Sequence, residues 1–213
     1  MGIVSHYGVP LYYNSVHLSI DFFIFSGKFP GFFVFTSTIS CKEAAFLEFN
    51  DIYDEHRHPT GRRHRRGTRW RKGEFGLVVC VWVYDGKGNL LLTRRAPEKS
   101  FPGTWENSGG AVKAGESSRQ AIARELFEET GILAAEEEFE LLESSQEGNI
   151  FYDYYCLRRA FPLEDVKLLP GETDDAKWVS MEECYQMVQS RQISSVIGRQ
   201  FLRQAPMLKL RQD

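Results

Sequence analysis

The chain has 213 residues, of which 42% are hydrophobic and 26% are charged, a composition typical of a globular domain and not of a disordered or collagen-like chain. Lys and Arg number 26 against 29 Asp and Glu, and this net charge of −3 gives no overall basic field that would favour nucleic acid. The four cysteines form no CxxC pair, so neither a zinc site nor a dense disulfide framework is predicted, and a cytoplasmic location is expected.

Residues 1–46 differ in composition from the rest of the chain. They contain 11 aromatic residues but only four charged ones. Their most apolar stretch, Phe22–Phe35, is interrupted by a lysine, a proline and a glycine, and it is too short to span a bilayer as a helix. No basic region precedes it, as a secretory signal would require. We therefore expect an aromatic-rich N-terminal extension outside the core domain, no membrane association, and one domain over residues 47–213.

Beyond residue 47, apolar runs and turn residues alternate as they do in α/β domains. A hairpin is predicted from Phe75–Tyr84 and Asn89–Arg94, because both runs are rich in strand-forming residues and a Gly-containing turn joins them. The other predicted strands are Trp105–Val112, Phe139–Ser145, Ile150–Ala160 and Ala176–Val179, and the predicted helices are Ser117–Thr130, Met181–Ser190 and Ser194–Gln204.

The helix predicted from Ser117 to Thr130 has clear end signals. Ser117 and Gln120 match the capping box, in which a hydroxyl and an amide bind free backbone N–H groups of the first turn. Gly131 follows the last turn, where a left-handed residue commonly ends a helix. Ile122 and Leu126 are four residues apart, so they are expected to anchor one face of this helix on the sheet.

Three carboxylates share another face of the same helix. Glu125 is three residues before Glu128 and four before Glu129, and like charges at these spacings repel. Bound divalent cations would offset this repulsion, and oxygen ligands suit hard ions such as Mg²⁺ or Mn²⁺. Arg124 is positioned to pair with Glu116 and to hold the preceding loop against the helix. An isolated ExxEE motif, by contrast, is typical of a solvated acidic face.

The register around these glutamates resembles the Nudix box, whose conserved glycines, glutamates, arginine and aliphatic residues recur at fixed intervals. The matching residues are Gly110, Glu116, Arg124, Glu125, Leu126, Glu128, Glu129, Gly131 and Ile132. Every defined position of this 23-residue pattern is therefore present, which a solvated acidic face would not require.

The resemblance implies an α/β fold of the Nudix type, an α/β/α sandwich with a mixed sheet, and hydrolysis of a diphosphate linked to another group. By matching positions, Glu125, Glu128 and Glu129 are expected to bind Mg²⁺ or Mn²⁺, with the backbone carbonyl of Gly109 as a further ligand. Glu128 or Glu129 could also accept a proton from the attacking water. The residues expected to support the site structurally are Gly110, Glu116, Arg124 and Gly131.

Some members of this family place a further acidic base on a loop before a late strand. Glu172 follows Pro170-Gly171 in such a position, with Asp174 and Asp175 as rivals. Acidic residues beside Pro-Gly are also common in plain turns, so both interpretations stay open. Glu172 completes the expected catalytic set.

A second branch of the superfamily, the isopentenyl-diphosphate isomerases, is similar in the segments Asp51–Arg66 and Phe101–Ser108. That branch uses a nucleophilic cysteine shortly after the tryptophan that corresponds to Trp105, and Trp105–Gly110 contains none. Without its nucleophile, isomerase chemistry is the less favoured alternative. A third alternative is a non-catalytic nucleotide-binding module, which would be expected to lack a box glutamate, and none is missing.

The segment Gly61–Gly73 carries six arginines and a lysine together with Trp70. We interpret it as a solvated connecting segment, and the alternative is a phosphate contact in which Trp70 stacks on a base. The expected partner of the protein is a small-molecule diphosphate and not a nucleic acid, and a homodimer is left open. Specificity in this superfamily lies outside the box, so the sequence does not name the substrate.

Overall fold

A computed structural model describes residues 48–209, and the expected extension of residues 1–46 lies outside the described residues. The elements in chain order are β1 (Phe49–Tyr53), β2 (Pro59–Arg65), β3 (Gly76–Tyr84), β4 (Asn89–Arg95), β5 (Trp105–Glu106), β6 (Ser108–Ala111), α1 (Ser118–Thr130), β7 (Glu140–Glu147), β8 (Ile150–Arg158), β9 (Thr173–Ser180), α2 (Met181–Gln189) and α3 (Ser195–Lys209). Across residues 48–209, no helix has both the length and the apolar character needed to cross a membrane.

Strand β3 is the centre of a seven-stranded mixed sheet. It pairs in parallel with β8 along its whole length and antiparallel with β6 on its other side. Its run of nearly continuous apolar residues suits a strand that is covered on both faces. The predicted hairpin is present only at its turn, where Tyr84 pairs with Leu90, because β4 then leaves β3 to pair with β9 and β5.

Helices cover both faces of the sheet. On one face, Val79 and Val81 of β3 pack with Ile122 and Leu126 of α1, and both of these α1 residues are fully buried, as predicted. On the other face, Trp82 lies in a second apolar cluster with residues of α2 and α3. The α/β class and the α/β/α sandwich with a mixed sheet predicted from the sequence are therefore confirmed.

The basic run does not have the structure that we expected. Residues 61–65 lie in β2, which pairs with β1 in a separate two-stranded ribbon, so the prediction of a connecting segment was wrong for these residues. Within β2 only His64 is buried, and the arginines face solvent. The sequence of β2 therefore lacks the alternation of apolar and polar residues that is typical of a strand. Trp70 stacks on His64, with ring centroids 3.6 Å apart, so the face that was suggested for base stacking contacts protein.

A buried carboxylate ties this ribbon to the main sheet. Asp153 of β8 is 3% exposed and accepts hydrogen bonds from Arg57, which lies in the β1–β2 turn, and from Ser118 and Ser144 at 2.6 Å each. Burial alone would raise the pKa of Asp153, but these hydrogen bonds outweigh it and hold the pKa below its usual value. The charged form of Asp153 therefore stabilises the folded state.

We expect Asp153→Asn to lower the free energy of unfolding by about 2 kcal/mol at pH 7, because it weakens the hydrogen bonds that Arg57, Ser118 and Ser144 donate to a charged acceptor. The pKa of Asp153 is lower in the folded state than in the unfolded state, so its charged form stabilises the fold. This contribution to the free energy of unfolding is present above the unfolded pKa of about 3.9 and is lost as the pH falls through the folded pKa. The difference between wild type and variant should therefore shrink below about pH 4. Urea unfolding at pH values from 3 to 7 measures this difference, and Asp165→Asn, at an exposed position, is the control. A difference independent of pH would contradict this account.

Candidate functional site

The helix that carries the glutamates has fixed ends. The N–H of Gln120 donates to Ser117 Oγ at 3.1 Å, and the N–H of Ser117 donates to Gln120 Oε1 at 2.9 Å, so the predicted capping box is present. Gly131 has φ +72° and donates its N–H to Phe127 O at 2.8 Å, as a left-handed cap requires. The register of α1, and with it the direction of each glutamate, is therefore set by local sequence.

The guanidinium of Arg124 joins the loop before α1, the helix α1 and the strand β6. It donates to both oxygens of Glu116, at 2.7 and 2.9 Å, as the sequence suggested. Its Nη1 donates to Glu125 at 2.7 Å and to Glu128 at 3.0 Å, and its Nη2 donates to Ala111 O at 3.2 Å. Burial disfavours the cation, but these partners outweigh burial and raise the pKa of Arg124. The loop before α1 is thereby held against two of the site glutamates.

Glu129 is the most buried of the three glutamates. Its Oε2 is shielded from solvent and has no hydrogen-bond partner among residues 48–209. Burial raises the pKa of Glu129 well above its ordinary value, and the negative charges of Glu125, Glu106 and Glu172 raise it further. Burial likewise raises the pKa of Glu125, against the opposing effect of Arg124. An additional cation would stabilise the charged forms of both carboxylates.

The glycine pair of β6 lets helix and sheet approach this closely. A Cβ on Gly110 would lie 2.4 Å from the carboxyl carbon of Glu125, and one on Gly109 would lie 2.4 Å from Val79 O. Gly110 therefore makes room for a site glutamate, and Gly109 makes room for the neighbouring strand. Both contacts are shorter than real Cβ atoms tolerate, so any larger residue would displace one of the two elements.

The three acidic residues suggested as a further base lie next to or in β9 and have different partners. Glu172 precedes β9, forms an ion pair with Lys99, and influences the pKa of Glu129. Asp174 and Asp175 both pair with Arg94, at 2.7 and 3.6 Å. Glu172 is therefore the one whose charge reaches the helix glutamates.

Some residues near the site were missed by the sequence analysis. Lys113 Nζ lies 3.6 Å from Glu128 and 3.6 Å from Glu48, and Glu48 in turn pairs with Arg66. Lys113 lies inside the box at a position where the pattern specifies no residue. Its place between two specified positions, Gly110 and Glu116, was the feature of the sequence that could have indicated it. Glu48 and Arg66 are far from α1 in sequence, so nothing local could have indicated them.

The donor set fits a hard divalent cation. As they stand, no three His, Cys, Asp or Glu side chains of residues 48–209 form a ready metal-binding group. Glu125 and Glu128 each place one oxygen on Arg124, the second oxygen of Glu128 lies 3.6 Å from Lys113 Nζ, and Glu129 contributes its unpartnered Oε2. Carboxylate oxygens are the ligands that Mg²⁺ and Mn²⁺ prefer.

Comparison with known proteins identifies relatives over this part of the chain. The NUDIX domain model matches residues 74–197. An uncharacterised Nudix hydrolase of Listeria monocytogenes is 34% identical over 139 residues, which cover 64% of this chain and 82% of that protein. An isopentenyl-diphosphate Delta-isomerase of an Enterobacter species is 31% identical over 112 residues, or 49% of this chain and 61% of that enzyme.

Solved structures agree with this assignment. A Deinococcus radiodurans protein, 22% identical, superposes with a TM-score of 0.57 over 67% of this chain and 90% of its own, which shows a shared fold. A MutT protein from Methanosarcina mazei, 27% identical, has a TM-score of 0.50 over 63% of this chain and 96% of its own. The matched domain covers more than half of the chain and includes every residue of the glutamate site on α1, and the chain belongs to the Nudix family.

Proposed function

We propose that this protein is a metal-dependent hydrolase that cleaves the diphosphate linkage of a small molecule of the nucleoside-diphosphate type by attack of water. The observation that carries the proposal is the joining of Glu125 and Glu128 to Glu116 by the single guanidinium of Arg124. A solvated acidic face would need neither this partly buried arginine nor a glycine that accommodates Glu125. Family membership supports the hydrolase class.

In this proposal Glu125, Glu128, Glu129 and the backbone carbonyl of Gly109 hold Mg²⁺ or Mn²⁺. When bound, the cation neutralises diphosphate charge and makes a water more acidic. Arg124 and Glu116 fix the directions of the carboxylates, and Gly110 leaves room for one of them. These residues therefore act by positioning, while the glutamates contact the reacting groups.

Glu172 is the proposed general base, with Glu128 or Glu129 as alternatives. It lies immediately before β9, and the N–H of Ala96 donates to its backbone carbonyl at 3.1 Å, which anchors its position against the end of β4. Its side chain is 41% exposed and pairs with Lys99, so a water molecule can reach it. To accept a proton from water, the carboxylate of Glu172 would first have to be released by Lys99.

Isomerisation of an isopentenyl diphosphate is the second candidate, because part of the chain resembles such enzymes. The cysteines of residues 48–209 do not supply its nucleophile. Cys80, Cys156 and Cys184 are all buried, and burial raises the pKa of the Cys80 thiol and raises that of Cys184 to about 12. Buried thiols of this kind are poor nucleophiles. Hydrolysis is therefore the function that we favour.

Glu128→Gln should lower kcat/KM for diphosphate hydrolysis by at least about a hundredfold, or about 2.7 kcal/mol, because it removes a metal-binding charge. The protein should stay folded, since the change also relieves repulsion on α1. A panel of nucleotide sugars, dinucleoside polyphosphates, nucleoside triphosphates and coenzyme A, each with Mg²⁺ and Mn²⁺, supplies the substrate. The exposed Glu137→Gln is the matched control. Turnover of Glu128→Gln within tenfold of wild type would remove Glu128 from the site.

Glu172→Gln tests the general base. We expect kcat to fall about 10²- to 10⁴-fold, while the concentration of Mg²⁺ needed for half-maximal activity stays the same. Asp174→Asn, two residues away and paired with Arg94, should change kcat little. Equal losses in the two variants would indicate a structural role for this loop, and a loss confined to Asp174→Asn would move the base there.

Water labelled with ¹⁸O separates hydrolysis from isomerisation. Hydrolysis breaks a P–O bond with water, so label should enter a phosphate-containing product of the substrate found by the panel. Isomerisation only moves a proton on the carbon skeleton and leaves the diphosphate intact. We expect label in the product and no conversion of isopentenyl diphosphate to its dimethylallyl isomer. Efficient isomerisation without ¹⁸O incorporation would overturn the assignment.

A further inference from the structure

A small cavity lies between the β1–β2 ribbon and the main sheet. Its volume is about 170 Å³, and its floor is formed by apolar residues of β3, β6 and β8, among them Val78 and Ala111. Its wall contains the stacked rings of His64 and Trp70, and Arg66 stands at its rim. Apolar walls with a few polar groups are typical of ligand pockets, but whole drug-sized ligands need about 300–1,000 Å³. The cavity therefore suits one ring system.

The cavity is separated from the glutamates by a single strand. Side chains alternate along β6, so Ala111 faces away from α1 while Gly110 faces Glu125. The β6 strand pairs only with β3 among the described strands, and Ala111 O of β6 accepts a hydrogen bond from Arg124 at 3.2 Å. Gly109 and Gly110 of the same strand carry no side chain. The cavity and the carboxylates therefore adjoin consecutive residues of β6, Ala111 and Gly110.

A row of charges also connects the rim of the cavity to the site. Arg66 pairs with Glu48, and Glu48 shares Lys113 with Glu128. The charges of Glu125 and Glu172 contribute to the raised pKa of Arg66, although its hydrogen bond with Glu48 contributes most. The side chain of Arg66 is 56% exposed and its guanidinium suits phosphate oxygens. Arg66 thus lines the cavity and is linked through Glu48 and Lys113 to Glu128 of the site.

We propose that the cavity between β2 and the sheet is a specificity pocket that takes the nucleobase of the substrate, with Arg66 contacting the adjoining phosphate. This inference rests on the proposed function and adds to it the residues that select the organic part of the substrate. The ring of Trp70 in the wall is itself fixed, because one face stacks on His64 and the ring packs over Gly76, where a Cβ would lie 2.7 Å from the indole. A preformed flat wall favours a planar ring over a flexible chain.

The test compares ligands that the enzyme cannot hydrolyse. AMP, GMP, CMP and UMP contain no diphosphate bond, and ribose 5-phosphate is the same molecule without the base. By isothermal titration calorimetry, at least one nucleotide should bind wild type about tenfold more tightly than ribose 5-phosphate. Val78→Phe fills the cavity and should abolish that preference while leaving ribose 5-phosphate binding unchanged. Arg66→Ala should weaken both ligands about equally.

Arg63→Ala is the matched control, since Arg63 is a neighbouring exposed arginine on β2 that does not line the cavity. Thermal unfolding checks that each variant is folded, and Thr68→Trp narrows the same cavity from an exposed loop if Val78→Phe does not fold. Absence of any nucleotide preference, or a preference that survives both filling variants, would overturn the pocket. Preferential binding of isopentenyl monophosphate, lost in Val78→Phe, would overturn the nucleobase in favour of an aliphatic group.

These binding measurements do not depend on turnover. If the binding measurements contradict the pocket, diphosphate hydrolysis and its loss in Glu128→Gln are unaffected. If the protein is not a hydrolase, the ¹⁸O experiment shows it. The two outcomes are therefore distinguishable in the same set of proteins.

Discussion

The site depends on one partly buried cation, the guanidinium of Arg124. Three carboxylates on one face of α1 repel one another, and burial makes their charges more costly still. Arg124 offsets this with a planar guanidinium that reaches a loop glutamate, two helix glutamates and a strand carbonyl at once. A lysine has a single ammonium group and could not bind them in the same arrangement. The helix, the loop before it and β6 are thereby held as one unit.

The two neighbouring glycines of β6 serve different parts of this unit. Gly110 allows the closest approach between the strand and a carboxylate of α1, whereas Gly109 allows the closest approach between β6 and β3. Their adjacency follows from the alternation of side chains along a strand, since consecutive residues face opposite sides. One glycine therefore admits a carboxylate of the helix, and the other admits the neighbouring strand.

Local sequence was sufficient to predict α1 and much of its surroundings. The capping residues, Gly131, the buried Ile122 and Leu126 and the pairing of Arg124 with Glu116 all involve residues close in the chain. The β1–β2 ribbon could not be predicted, because β2 has a single buried side chain and its strand character comes from pairing with β1. Contacts such as Lys113 with Glu48 join distant segments and leave no periodic pattern in either one.

The parallel pairing of β3 with β8 has a consequence for how the site is assembled. Gly76 pairs with Ile150, and α1 lies in the long segment between these two strands. The entropy of closing that segment must be offset before the parallel contacts form, which makes such pairings slow steps in folding. The apolar face of α1 therefore gains its packing partners in β8 only when the whole domain closes. A fragment that contains the box and lacks β8 would carry the motif without part of the core that holds α1 on the sheet.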